Sequence, residues 1–528
     1  MFPSGRTDYT FRNWAGIYSA KPKLFFQPTS QEEIIEIVQN ARELGRTIVT
    51  VGAGHSPNNM CITSDWLLNL DNMNKVYELI ERPELHYADV VVDAGIRVRH
   101  LNEYLNRHGY TLQNLGSIDE QSVAGMISTG THGSSPYHGL ISSQIVNLTM
   151  INGRGEVLFL SSRDNPEIFR AALLSLGKVG IITRATIRVV PKFDLRVTER
   201  ILTFDDLLDR WDRLWTSAEF IRVWWYPYSK KCILWRASKT DEPRIRPKRR
   251  WLDKTLGRML YEILLWVSCK IYPSLTPYIE RFIFNRQYNY LFKNKRGETY
   301  VTDSVQGFNS NCLFSQFVNE WSCPMENGPE VLRSLEHSIS QASQNGEFFV
   351  HAPIEVRCSN ATLPHDRPDY RHRTRTSPGP VFGNLLRPYL DNSPSYCQYV
   401  PMDSVTNNQL TLHINAAMYR PFGSNTRIYK WFSLFEDTMS VAGGKPHWAM
   451  NFIGSPSLAC DSGSCSGDGG VKPSGQPYKD YECRGLGEKI KEWYGPDLLK
   501  FKQIRREQDP DDIFVMNKEW AVRNGIVD

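Results

Sequence analysis

The seven residues Val51-Gly52-Ala53-Gly54-His55-Ser56-Pro57 constrain this chain more than any others. They follow the apolar run Thr47-Ile48-Val49-Thr50, so they sit where a buried strand gives way to a loop. Two glycines one residue apart let backbone N–H groups approach a bound anion, because no Cβ stands in the way. The pattern departs from the nicotinamide fingerprint, which needs a third glycine opening a helix. Here position 57 is Pro, which has no N–H to give. A histidine occupies the turn instead, and an imidazole beside a phosphate cradle can become bonded to a cofactor. Taken alone, a GxG pair fits a surface turn equally well.

The segment from Leu115 to Ser135 strengthens the reading. It interleaves Gly116, Gly125, Gly130 and Gly133 with Ser117, Ser122, Ser128, Thr129 and Thr131. Such a stretch offers many backbone and hydroxyl donors with little bulk, which suits a pyrophosphate wrapped by loops. A glycine-rich surface loop is the bland alternative.

In this order and spacing the two segments resemble the flavin domain of the vanillyl-alcohol-oxidase type, and more closely the sugar-1,4-lactone oxidases. Further matches are Gly177-Lys178-Val179-Gly180-Ile181-Ile182-Thr183, Glu355-Val356-Arg357, Gly444-Lys445-Pro446-His447-Trp448 and Asp509-Pro510-Asp511-Asp512-Ile513-Phe514. The runs Asn13–Pro22 and Arg222–Tyr228 are similar to the fungal members. The resemblance implies FAD attached covalently through His55. It also implies a cofactor shell of Val51, Gly52, Ala53, Gly54, Ser56, Pro57, Gly116, Ser117, Ser122, Val123, Gly125, Ser128, Thr129, His132, Gly133, Gly180 and Ile182, with no metal. The implied reaction is oxidation of an aldono-1,4-lactone at C2, D-arabinono-1,4-lactone in the fungal branch. Oxygen is the acceptor, and the products are hydrogen peroxide and a dehydro-lactone that tautomerises to D-erythroascorbate.

Glu355 and Arg357 are two apart on a strand predicted over His351–Cys358, so both project from one face, with Pro353 beside them. A fixed guanidinium there would stabilise negative charge on a reduced flavin, and the carboxylate could bind the substrate hydroxyl. A plain surface ion pair is the competing reading. By the same resemblance Gly116 leaves room for oxygen, where dehydrogenase relatives carry Ala, and the Ser117 hydroxyl faces the substrate. His447 is a partner for the substrate hydroxyl. One departure stands out: relatives read HWxK where this chain reads His447-Trp448-Ala449-Met450, and Lys445, two positions before His447, does not simply replace that lysine. Two rivals therefore stay open: a lactone dehydrogenase passing electrons to cytochrome c, and a flavin-binding protein that has lost catalysis.

At 528 residues the chain needs two or three domains. The expected division is an FAD-binding domain over 20–192 and a cap over 193–528, α+β throughout, with a large antiparallel sheet in the cap. A net charge of +5 is too small for this length to argue for nucleic acid. No run of about 18 uncharged apolar residues appears, so no spanning helix is predicted. Met1–Trp14 lacks the apolar core of a secretory signal, so an intracellular location is expected. The resemblance implies a mitochondrial membrane surface. Ten cysteines without a CxxC pair disfavour a disulfide scaffold or a zinc site. Nothing in the sequence indicates the oligomeric state.

Along the chain, Ser30-Gln31-Glu32-Glu33 predicts a capping box opening a helix that closes at Gly45. Strands are predicted at 47–51, 90–92, 145–151, 156–160 and 181–190, with helices near 101–107 and 167–176. In the cap, strands are predicted at 220–226, 232–236, 313–321, 348–358 and 410–419, with a helix over 328–345. Two insertions are expected. The first, 239–250, holds six Lys or Arg in twelve residues and precedes the apolar stretch Met259–Val267, a pairing that reads first as a basic loop before a packed helix and also suits an anionic membrane surface. The second, 455–478, is rich in Gly, Ser and Pro and is expected as a disordered loop.

Overall fold

Gln31–Glu43 folds as a helix because Ile34, Ile37, Val38 and Ala41 fall on one buried face. Ser30 Oγ accepts the Glu33 N–H at 3.3 Å, as the capping pattern predicts. The reciprocal arm differs, since the Glu33 carboxylate accepts from the Thr29 N–H at 2.8 Å, one residue before the N-cap. The computed structural model describes residues 4–292, 294, 297–310, 312–394, 399–459, 483–515 and 518–527.

This helix shares a core with a parallel sheet ordered Leu24–Phe26, Trp66–Asn69, Ile48–Val51. The GxGH turn leaves the C-terminal end of that last strand. A second, antiparallel sheet runs Val157–Ser161, Ile145–Ile151, Ile181–Pro191, Tyr87–Asp93, Val76–Arg82, with Tyr110–Thr111 paired to the 181–191 strand. Helices Val98–Arg107 and Val123–Ser128 bury Leu101, Leu105, Met126 and Ile127 in its core.

The third sheet is antiparallel and has eight strands. Their order is Glu298–Asp303, Asp194–Thr203, Lys231–Thr240, Phe220–Tyr226, Ile354–Asn360, Leu410–Tyr419, Gln316–Pro324, Lys445–Pro446. One face carries Phe317, Trp321, Val356 and Cys358 into a core shared with helices Gly328–Asn345 and Tyr429–Val441. The other face, of opposite parity, carries the site. The predicted α+β class with a large antiparallel sheet is the observed one.

Where local pattern and structure differ, the causes are physical. Val76–Arg82 was not predicted as a strand because it is a sheet edge with four exposed residues and no apolar alternation. The helix predicted to Leu176 stops at Ala172, and the chain turns through Leu176 at φ 52° and Gly177 at φ 68°. The strands predicted at 313–321 and 348–358 begin later, at Gln316 and Ile354.

Two regions sit differently from their place in sequence. Ile513 and Phe514 pack into the small core around helix Gln31–Glu43. The Asp509 carboxylate accepts both of their N–H groups at 2.8 Å, so this stretch of the cap returns to the N-terminal unit. The basic stretch is also less free than an insertion. Arg244 pairs with Asp194 and Asp303, Lys248 with Glu298 at 2.9 Å, and Arg250 with the buried Glu199. These acids lie on distant strands, which no local reading of 239–250 could supply. The apolar stretch lies within helix Thr255–Lys270. Of the predicted loop 455–478, Ser455–Ala459 is described, with Ser455 buried, and the rest lies outside the described residues. Among the described residues, no helix is long and apolar enough to cross a membrane.

Candidate active site

Two cavities meet at the GxGH turn. A narrow slot of about 100 Å³ is lined by Val51–Ser56, Ser122, Gly125, Ser128, Thr129, Gly180 and Ile182, among others. A wide chamber of about 680 Å³ is lined by His55, Ser56, Pro57, Gly116, Ser117, Thr129, His132, Glu355, Arg357 and His447, with further residues of the sheet. His55, Ser56, Gln121 and Thr129 line both. Val123 and Gly133 line neither. Val123 is a core residue, and a Cβ on Gly133 would stand 2.1 Å from Asn114 Oδ1.

The slot is made of backbone. A Cβ on Gly52 would lie 2.0 Å from Ser122 Oγ, and one on Gly180 would lie 2.7 Å from the Ile151 carbonyl. Glycine is therefore required by close approach. Ser122 also caps the helix Val123–Ser128 by accepting the Gly125 N–H at 3.2 Å.

At the junction, burial and the nearby Arg97 cation push the His55 ring down to about 4. The ring is therefore neutral at ordinary pH, and its Nδ1 is buried without a hydrogen-bond partner among the described residues. Trp14 stacks on it, centroids 5.4 Å apart. Asn13 fixes the turn from below, donating to the Pro57 carbonyl at 3.0 Å and accepting from the Ile17 N–H at 3.1 Å. Asn58 and Asn451 tie the same loop to the 447–451 segment, donating to the Trp448 carbonyl at 2.7 Å and the Pro57 carbonyl at 2.9 Å. Across the chamber, Ser117 Oγ is also buried and unpartnered. These orphaned polar atoms, with a glycine-floored slot opening into a wide chamber, fit a dinucleotide such as FAD, which the two cavities together would hold.

Cross-strand register builds the wall. Arg222 lies opposite Arg357, and Arg357 opposite His413. One row along, Trp224, Glu355, Asn415 and Glu320 stand opposite one another in turn. Directly opposed residues share a face, so two arginines and two glutamates converge. Arg357 Nη2 donates to Glu320 Oε2 at 2.5 Å, and Arg357 Nε lies 3.5 Å from Glu355 Oε2. Burial alone would lower the guanidinium's affinity for its proton, but Glu320 and Glu355 outweigh it and hold Arg357 charged. Arg222 is anchored by Ser310 Oγ at 3.1 Å and the Phe308 carbonyl at 2.8 Å, and burial lowers it to about 10.

His447 is placed at the chamber with both nitrogens engaged. Nε2 lies 3.2 Å from the Gly130 carbonyl, and Nδ1 accepts the Ala449 N–H at 3.2 Å. Burial first, then His132 and Arg357, push it to about 4 against the opposing pull of Glu320. The ring thus braces the floor at Gly130 and has no nitrogen left for a substrate, which departs from the role expected of it. Met450 lines the chamber, whereas Lys445 turns away to the Trp493 carbonyl at 2.9 Å. The ammonium missing at 450 is not replaced by Lys445, but Arg222 brings a second cation beside Arg357. His132, Glu320 and His413 lie close enough to hold a metal ion. Yet His413 already bonds Ser322 and Ser359 at 2.8 and 2.7 Å and stacks on His132 at 3.7 Å, so the group is a hydrogen-bonded stack.

The family profile described as D-arabinono-1,4-lactone oxidase matches residues 185–524. A protein named D-arabinono-1,4-lactone oxidase from Eremothecium gossypii is 61% identical over 521 residues, covering 99% of this chain and 96% of that one. One of the same name from Saccharomyces cerevisiae is 61% identical over 523 residues, covering 99% and 98%. This chain belongs to the D-arabinono-1,4-lactone oxidase family. In agreement with the D-arabinono-1,4-lactone oxidase assignment, residues 22–161 match a profile described as an FAD binding domain. The fold is shared with cholesterol oxidase from Brevibacterium sterolicum, TM-score 0.73 over 96% of this chain and 95% of that one at 14% identity.

His55, Glu355, Arg357 and most of the glycine-loop residues singled out in the sequence line the two cavities. Sequence reasoning missed Glu320, Asn415 and the anchoring role of Asn13. Arg222 and Asn13 lay inside the runs that carried the resemblance, without a role attached. Glu320 had one signal, a charged residue in the interior of a strand otherwise reading as buried.

Proposed function

We propose that this chain oxidises the C2 hydroxyl of D-arabinono-1,4-lactone, with FAD bonded to His55. The observation that carries the reading is the Glu320–Arg357–Glu355 cluster facing the same chamber as a neutral, partnerless His55. The residues of the slot and chamber would hold FAD, which when bound would supply the acceptor for the C2 hydride and pass the two electrons on to oxygen, giving hydrogen peroxide. Arg357 keeps a positive charge at the chamber wall, where negative charge develops as the lactone is oxidised. Glu355, whose Oε2 lies 3.5 Å from Arg357 Nε, binds the C2 hydroxyl and takes its proton. Ser117 Oγ donates to a lactone oxygen. His55 is available as a nucleophile because it is uncharged. Gly116 leaves the chamber floor open to oxygen, which favours an oxidase over a dehydrogenase serving cytochrome c.

The test is to denature and acid-precipitate the purified protein and read the pellet's flavin absorption. Flavin in the pellet is expected. Flavin wholly in the supernatant would overturn the linkage, and a native flavin that lactone fails to bleach would overturn the oxidase.

A mitochondrial lipid surface is proposed as a second contact. Leu256, Met259, Leu260, Ile263 and Trp266 on helix Thr255–Lys270, with Tyr278 and Phe282 on helix Thr276–Phe292, are large exposed apolar side chains on adjoining helices. Three of the five neighbouring cations are held in ion pairs, so insertion of these apolar groups dominates over charge. In flotation with anionic liposomes, changing Met259, Ile263 and Trp266 to Ser should abolish binding, whereas changing Arg244, Arg246, Lys248, Arg249 and Arg250 to Gln should weaken it only in part. Equal flotation of wild type and the Ser variant would rule the surface out.

A further inference from the structure

Glu320 is a carboxylate of the chamber wall that no motif singled out. It is wholly buried, at 0% exposure, on strand Gln316–Pro324. Its Oε2 accepts from Arg357 Nη2 at 2.5 Å and from Asn415 Nδ2 at 3.1 Å. Its Oε1 meets His132 Nε2 at 2.9 Å, and its backbone carbonyl accepts the His447 N–H at 2.8 Å. Four segments distant in sequence therefore converge on one residue.

We propose that Glu320 is a positioning residue, which grips Arg357 of the wall with one oxygen and His132 of the floor with the other and so fixes where the wall's positive charge stands over the flavin side of the chamber. The proposal rests on the flavin reading above. Three observations carry it. First, an ionised carboxylate accepts on both oxygens, whereas an amide offers one acceptor and one donor. Only the acid sets a negative charge against Arg357 while keeping a second acceptor toward His132. Second, the other ion pair of Arg357 is longer, at 3.5 Å to Glu355, and Arg357 Nε has no hydrogen-bond partner among the described residues. The 2.5 Å contact is thus what orients the fork. Third, His132 directly follows Thr131, whose methyl is the nearest atom, 3.1 Å, to a Cβ built on Gly116. Glu320 therefore couples the wall to the part of the floor beside Gly116.

Glu320 is poorly suited to be the base. Burial would raise its pKa, but Arg357, His132 and His447 together hold it well below the usual carboxylate range. It stays ionised and takes no proton from the lactone.

The experiment compares wild type, Glu320→Gln and Glu320→Asp as flavin-loaded proteins. The readouts are anaerobic reduction by D-arabinono-1,4-lactone and the midpoint potential of the bound flavin. Glu320→Gln is expected to lower the limiting reduction rate about 10²-fold, with lactone dissociation changed less than about threefold. Its flavin potential should fall. The sign separates the roles: deleting a negative charge raises the potential by itself, so a fall reports a guanidinium displaced from its place. Glu320→Asp keeps the charge one methylene further back and should recover about tenfold of the rate. A Gln variant within about twofold of wild type, a raised potential, or an Asp variant no better than Gln would overturn the proposal. Should the Gln variant not fold, the Asp variant decides alone against wild type, with lowered rate and potential supporting the proposal and unchanged values overturning it. A wild type that lactone does not bleach would sink the oxidase reading instead. The potential needs bound flavin but no lactone, so it still decides on Glu320.

Discussion

The floor of the chamber is built from backbone and its wall from side chains. On the floor, in the slot that opens into the chamber, Gly52 and Gly180 sit where a Cβ would come within 2.0 and 2.7 Å of Ser122 Oγ and the Ile151 carbonyl. There the chain makes room, and hydroxyl and amide groups do the holding. On the wall, Arg222, Glu320, Glu355, Arg357 and Asn415 come from four strands and meet only because their registers align. The floor is made to retain a cofactor. On the proposed function, the wall places charge against the reaction. Substitutions on the two sides should therefore fail in different ways, retention on one and rate on the other.

The largest expected effect breaks the floor. His55→Ala should lose all covalently held flavin while keeping some bound reversibly, because the slot is unchanged. In-gel flavin fluorescence after denaturing electrophoresis checks this, and a fluorescent band in the variant would assign the linkage elsewhere. On the wall, Arg357→Ala should slow flavin reduction by about 10²–10³-fold with flavin content intact. Arg357→Lys should recover only part, since an ammonium lacks the planar fork.

A smaller effect concerns pH and stability. Burial pushes His351 and His447 down to about 4, so both stay neutral in the fold yet take a proton when unfolded below about 6.5. The unfolded state then binds more protons, and stability is lost as pH falls from about 6.5 to about 4. Each contributes at most about 1.4 kcal/mol per pH unit across that window. His351→Phe should flatten the pH dependence of the urea unfolding free energy, and an unchanged slope would count against it. The smallest effect sharpens the contrast within the floor. A methyl on Gly116 would stand 3.1 Å from Thr131 Cγ2, tight but not prohibitive. Gly116→Ala should therefore slow reoxidation by oxygen several-fold more than reduction by lactone, as rapid mixing would measure. Equal losses would remove oxygen access as its role.

The same contrast explains what could be read from the sequence. The floor is local: glycine spacing after an apolar run marks the turn at 51–57, and the GxGH order names its histidine. Glu355 and Arg357 were singled out by the family resemblance, and strand periodicity then put the two on one face. Glu320 and Asn415 were not, because their proximity depends on pairing between strands 316–324, 410–419 and 354–360, which spacing along the chain does not encode. The ion pairs of Arg244, Lys248 and Arg250 were hidden for the same reason. His447 was found, but its bonds to Gly130 and Ala449 follow from tertiary placement, so its expected role was not.

The most direct test of this division is the anaerobic reduction of Arg357→Ala by D-arabinono-1,4-lactone, followed in protein whose covalent flavin content has been measured first. Wild-type flavin content with reduction slowed about 10²-fold or more is the predicted result. Loss of flavin from this variant, or full flavin reduced at the wild-type rate, would contradict the assignment of retention to the floor and rate to the wall.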